Sequence, residues 1–213
     1  MKNTVKSFGS AALVLCFLLG TGGCRSASTP VSFYTLSPLS IPENNKQAYS
    51  GKAPVILVGP LTFPNYLERL QIVTRSAPGR IYFSDFNQWA AFLDKEFLKT
   101  VAENLSVLLS SPQVRVYPSS DDVEPDYRIA LDVKQFEGNP GESVRLNVIW
   151  TLRCQKNGVP VRLTRRSVCV EPVSGDGYDA LVLAHSRAVE KLCREIAAAI
   201  PNLEVSAAKE TAH

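Results

Sequence analysis

Apolar residues recur along this chain at two spacings, every second position over several stretches and every third or fourth position over two longer ones. Residues 31–36 (VSFYTL) predict a first strand, and residues 37–54, rich in Pro, Ser, Asn and Gly, predict a loop. The continuous apolar run at residues 55–58, closed by Gly59-Pro60, predicts a buried strand. Residues 63–67 read as a turn, and residues 70–74 and 80–83 as two short strands of a hairpin about a Ser-Ala-Pro-Gly turn. Trp89, Leu93, Phe97, Val101, Leu105 and Leu108 then repeat every three or four places, which predicts a helix over residues 87–110 with one apolar stripe. Asp85 or Asn87 is the expected cap of that helix and Pro112 its stop.

Alternation resumes after Pro112. Residues 114–117 predict a short strand, and residues 127–136 a longer one with Tyr127, Ile129, Leu131 and Val133 on one face. Val144, Leu146, Val148, Trp150, Leu152 and Cys154 share a face of the next strand, while Arg145, Asn147, Thr151, Arg153 and Gln155 share the other. Asn157-Gly158 is a two-residue hairpin signal leading back through residues 159–170. A closing helix is expected over residues 177–200, with Tyr178, Val182, His185, Val189, Leu192 and Ile196 inward and Pro201 at its end. The order of elements predicts one α+β domain, a largely antiparallel sheet with two long helices packed on one face.

The first residues follow another logic. Lys2 and Lys6 precede the apolar run of residues 11–19, far shorter than the roughly 20 residues that span a bilayer but suited to a signal peptide. Small residues, Gly22 and Gly23 at the cut, lead into Cys24, whose thiol can carry a diacylglyceryl group. The expected organisation is a signal peptide at 1–23, a lipidated N-terminus and short tether at 24–30, a periplasmic domain at 31–202 and a flexible tail at 203–213. Two or three acyl chains anchor a protein almost permanently. Arg25, rather than Asp, after the cysteine points to the outer membrane, on its periplasmic face. The tether spans at most about 25 Å, so the body hangs close to its membrane.

Charge and cysteine use narrow the function. The whole chain carries +3, the signal takes two of the basic residues and none of the acidic ones, and the near-neutral remainder gives no case for nucleic acid. Cys154, Cys169 and Cys193 allow at most one internal disulfide. On a hairpin turning at Asn157-Gly158, Cys154 pairs near Val161 and Cys169 lies roughly 26 Å further along, so those two cannot bond; buried free thiols are expected. Only His185 and the terminal His213 are present, no metal site or cofactor motif is recognisable, and no catalytic residue is assigned. His185 reads as a core histidine, and Asp121, Asp122 and Glu124 as a solvated turn. Arg162, Arg165 and Arg166 read as a solvated or interface edge, against a lipid-headgroup site.

Several separated segments carry more than composition: Phe33-Tyr34-Thr35-Leu36, the stretch from Val58 through Tyr66-Leu67 to Thr74-Arg75, Asn87-Gln88-Trp89-Ala90 leading to Glu103-Asn104-Leu105-Ser106, and Asp176-Gly177-Tyr178-Asp179. In this order they resemble the PqiC family of ABC-type transport auxiliary lipoproteins, over about residues 31–200. Leu70 departs from the pattern, which leads one to expect a proline after the arginine. The resemblance implies a non-enzymatic auxiliary or docking component of envelope lipid transport, without cofactor. Its implied partner is an inner-membrane tunnel protein with MCE domains, met from the outer membrane by a ring-forming homo-oligomer, because closed rings come from heterologous interfaces. Tyr66, Leu67, Arg69, Gln71, Arg75 and Trp89 are the candidate interface, the alternative being that they fix the local fold. A stand-alone periplasmic lipid-binding lipoprotein, with a phospholipid against the apolar face of residues 144–152, is the rival reading.

Overall fold

A computed structural model describes residues 29–40, 53–119, 123–156 and 158–210. The expected signal peptide with Gly22 and Gly23, and Cys24, lie outside the described residues, as do Asp121, Asp122, Asn157 and His213.

The order is β1 (Ser32–Tyr34), β2 (Ile56–Thr62), a 3₁₀ turn (Asn65–Leu67), β3 (Gln71–Ala77), β4 (Arg80–Trp89), α1 (Leu93–Leu108), β5 (Val114–Val116), β6 (Tyr127–Gly138), β7 (Ser143–Lys156), β8 (Val159–Pro172) and α2 (Tyr178–Glu210). The strands form one sheet, β1-β4-β3-β6-β2-β5, with β7 pairing β6 and β8 pairing β7. The long ladders β3–β4, β6–β7 and β7–β8 are antiparallel, as alternation predicts. Shorter parallel pairings join β1 to β4 and β2 to both β5 and β6. The fold is α+β, with the two helices packed on each other and on the strands.

The β7–β8 hairpin follows its pattern closely. Val144, Leu146, Val148, Trp150 and Leu152 are fully buried. Lys156 stands opposite Val159, Gly158 takes φ 77°, and Cys154 pairs with Val161. None of Cys154, Cys169 and Cys193 is in a disulfide; Cys169 and Cys193 are buried as expected, whereas Cys154 is half-buried. Burial pushes the Cys193 thiol up to about 12 and Cys169 up to about 11, so both stay protonated and unreactive.

Two helix boundaries differ from the expectation. The first helix starts at Leu93 rather than Asn87, and neither Asp85 nor Asn87 caps it; Phe92 holds the cap position without a side-chain bond. Asn87, Gln88 and Trp89 instead finish β4, opposite Ser32, Phe33 and Tyr34. The backbone N–H of Trp89 donates to the Leu70 carbonyl (2.6 Å) and that of Ala90 to the Tyr34 carbonyl (2.7 Å). Trp89 buries its ring from either conformation, so the spacing could not separate helix from strand; the pairing partner decided. The second helix contains Pro201 rather than ending there.

The Glu103-Asn104-Leu105-Ser106 segment owes its buried polar member, Asn104, to a clamp. Asn104, fully buried, accepts a hydrogen bond on Oδ1 from the Leu39 backbone N–H (2.7 Å), while Ser186 Oγ accepts one from Ser37 N–H (3.0 Å). The chain leaving β1 is thereby tied to both helices.

Gly138 closes the β6–β7 hairpin tightly. A Cβ there would stand 2.7 Å from the Val144 Cα, which is backbone and cannot swing away. Gly138→Ala is therefore expected to cost about 1–3 kcal/mol. A urea midpoint equal to that of the parent would reject this account.

Candidate functional site

The expected interface segment is organised around an acid that alternation does not anticipate. Between Val133 and Gln135 the β6–β7 register shifts, a bulge that re-aims the residues beyond it. Phe136 and Glu137 are consequently both buried, and no part of the Glu137 side chain is exposed. Each of its oxygens accepts two hydrogen bonds. Arg75 Nε (2.6 Å) and Gln135 Nε2 (2.9 Å) donate to Oε1. The Tyr66 hydroxyl (2.9 Å) and the Phe136 backbone N–H (3.1 Å) donate to Oε2.

A buried carboxylate is tolerated when its lone pairs are filled and a cation stands beside it. The hydrogen bond to Glu137 raises the Arg75 pKa further. Burial first, then the Glu137 carboxylate, pushes the Tyr66 hydroxyl up to about 12, so it remains a donor. Asn139 Nδ2 also donates to the Arg75 carbonyl, locking β3 to the β6–β7 turn.

The six candidate interface residues divide by position. Leu67 and Trp89 are 1% exposed and belong to the core. Trp89 stacks edge-on against His185, with ring centroids 5.5 Å apart, and Phe136 does the same from 4.9 Å. His185 is the core histidine that its helical position predicts; its Nδ1 bonds the Leu181 carbonyl at 2.8 Å. Tyr66, Arg75, Arg69 and Gln71 remain partly accessible. Arg69 Nε donates to the Tyr66 carbonyl (2.8 Å), and its guanidinium lies 3.7 Å from the centre of the Phe83 ring.

Sequence patterning missed what lies next to this cluster. Phe33 is 64% exposed, Phe86 48% and Phe83 40%, and Tyr82 and Phe92 are exposed as well. Phe33 pairs with Gln88, which pairs with Gln71, so a row of side chains runs across β1, β4 and β3. A signal was available: Tyr82 and Phe83 are consecutive, so a strand through them places one aromatic on each face. Exposed aromatics on adjacent strands are candidate contact residues.

Among the described residues, no three His, Cys, Asp or Glu side chains are placed to hold a metal ion, and no helix is long and apolar enough to cross a membrane. The arrangement gathers Tyr66, Arg75 and Gln135 around one buried carboxylate and leaves Arg69 over the Phe83 ring.

Comparison with known proteins agrees in extent with this fold. Residues 34–197 match the model of a family described as the ABC-type transport auxiliary lipoprotein component. The chain is 27% identical over 173 residues to the intermembrane transport lipoprotein PqiC of Escherichia coli K12, covering 80% of this chain and 86% of that protein. The same figures hold for PqiC of Shigella flexneri. Two crystal structures share the fold: an uncharacterised protein at TM-score 0.63 and 23% identity, and a protein from Xanthomonas campestris at TM-score 0.60 and 16% identity. They cover 80% and 84% of this chain, and 99% of each of those chains.

Proposed function

Because the chain belongs to the ABC-type transport auxiliary lipoprotein family, we propose that it is the outer-membrane docking component of an MCE-type envelope lipid transport system. Acylation at Cys24 anchors it to the periplasmic face. Its partner is an MCE-domain tunnel protein of the inner membrane, and several copies form a ring around the tunnel's tip. It carries out no chemistry of its own.

The observation that supports docking most directly is the exposure of Phe33 on β1 and of Phe83 and Phe86 on β4, with Arg69 over the Phe83 ring. Aromatic and arginine side chains supply most of the energy at protein interfaces. Leu67 and Trp89 support that surface from beneath, so the contact itself falls to Tyr66, Arg69, Gln71 and Arg75 with Phe33 and Phe86. The rival reading as a stand-alone lipid carrier has less support. The apolar face of residues 144–152 is fully buried, with α2 packed on β7 and β8.

The test is a pull-down of the tagged full-length protein from gently solubilised envelopes, beside a Cys24→Ala control. An MCE-domain protein is expected to be recovered only when Cys24 is present. Phe33→Ser with Phe86→Ser is expected to cut that recovery tenfold or more at unchanged melting temperature, as loss of interface hot spots would. Recovery of the lipoprotein alone after crosslinking would reject docking and favour the carrier.

A further inference from the structure

We infer that the sheet carries an oxyanion site, built by Arg128, Arg153 and Arg162, that takes the phosphate of an anionic phospholipid headgroup. Arg128 of β6 stands directly opposite Arg153 of β7, and Arg153 directly opposite Arg162 of β8. Their chain neighbours Tyr127, Ile129 and Leu152 are buried, whereas all three arginines are exposed on the outward face. Directly opposed residues on adjacent strands have Cβ atoms about 4.5–5.5 Å apart, and like charges so placed are destabilising. Two such pairs in succession put three guanidinium groups within reach of one small anion.

Some of the described cations are ion-paired, whereas Arg80, Arg145, Arg165 and Arg166, like the row, are not; what distinguishes the row is the cleft its members share. Lys95, Lys99, Lys134, Arg187, Lys191 and Arg194 each lie within 4.0 Å of a carboxylate. Among the described residues, Arg128, Arg153 and Arg162 have no acidic partner at that distance. They instead line one open cleft of about 410 Å³, in which Glu124 is the single acid among the described residues. An oxyanion in that cleft would relieve the repulsion the row creates, and arginine's planar fork suits phosphate oxygens.

The size and lining of the cleft select the source. It is far larger than an inorganic phosphate needs, and Pro125, Pro160 and Val161 add apolar wall. A glycerol-linked phosphate fits such a mixed charged and apolar surface, and an acidic peptide, which would meet the same charges, is one of the probes of the test below. The acyl anchor expected at Cys24 also keeps the body within about 25 Å of a lipid surface. The inference goes beyond docking and does not depend on it.

The test is calorimetric titration of the full-length lipidated protein in a neutral detergent. The probes are dihexanoyl phosphatidylglycerol, dihexanoyl phosphatidylcholine, inorganic phosphate and hexaglutamate. Phosphatidylglycerol is expected to bind at least tenfold tighter than the other three. Arg153→Gln should weaken it about tenfold or more, as loss of a hydrogen bond to a charged group does, without lowering the melting temperature. Arg128→Gln provides a second variant should the first fail to fold, and Arg165→Gln, opposite the buried Trp150, should leave binding unchanged. Inorganic phosphate binding as tightly, with the same dependence on Arg153, would overturn the lipid source. Tighter hexaglutamate, no phosphatidylglycerol binding, or indifference to Arg153→Gln would overturn the site.

Discussion

Arg75→Ala is expected to destabilise the protein by about 3 kcal/mol, and adding Glu137→Gln to it is expected to give part of that loss back. The Arg75 side chain is 32% exposed while that of Glu137 is 0% exposed. Removing the arginine therefore strands a carboxylate in the interior, the situation that costs about 3–5 kcal/mol when a buried pair is broken. The lower end applies because Tyr66, Gln135 and the Phe136 N–H still donate to Glu137. A neutral amide in place of the carboxylate removes the uncompensated charge, so the double variant should be about 1–2 kcal/mol more stable than Arg75→Ala alone. Urea unfolding of the parent, both single variants and the double variant checks this. Additive losses would mean that the two groups are not coupled. The same geometry makes charge reversal at Arg75 a poor probe of partner contact, since it should lower the melting temperature whether or not a partner binds there.

Lowering the pH from about 6.5 to 4 should remove about 3 kcal/mol of stability through His185 alone. Complete burial is the main cause that brings its pKa from 6.5 down to about 4, against smaller raising effects of the Leu181 carbonyl and of Glu137. The sign follows from proton counting. Between pH 4 and 6.5 the unfolded chain binds a proton at this histidine and the folded chain does not, so acid favours unfolding. The contribution is fully present above pH 6.5 and is lost as the pH falls towards 4. A shift of this size corresponds to the stated energy at about 1.4 kcal/mol per pH unit. His185→Gln has no such proton to bind, so its stability should fall less steeply over that range. Parallel curves for the two proteins would show that His185 is protonated in the folded state or reaches solvent.

How far the site was legible depended on what each residue needs from its surroundings. The β7–β8 hairpin needs only its own two halves. Alternation and the Asn157-Gly158 pair therefore gave its register correctly, down to Cys154 opposite Val161. Residues 87–89 carry an apolar spacing that suits a helix equally well, and only the distant β1 makes them a strand. Glu137 was invisible because its burial follows from a bulge and from partners at Tyr66 and Arg75, all remote in sequence. The arginine row was half visible. Arg153 had its face assigned, but Arg128 and Arg162 become its neighbours only through pairing on both sides.

By itself the sequence determined the α+β class, the hairpins, the core histidine and the resemblance to the PqiC family, because local periodicity and short-range turn chemistry set these. The tertiary structure alone decided where β4 ends and α1 begins, that Leu67 and Trp89 face inward, and that Glu137 gathers four donors. It also decided that three arginines share one cleft. Those features arise from contacts between segments far apart along the chain, where a side chain's environment is set by its partner and not by its neighbours.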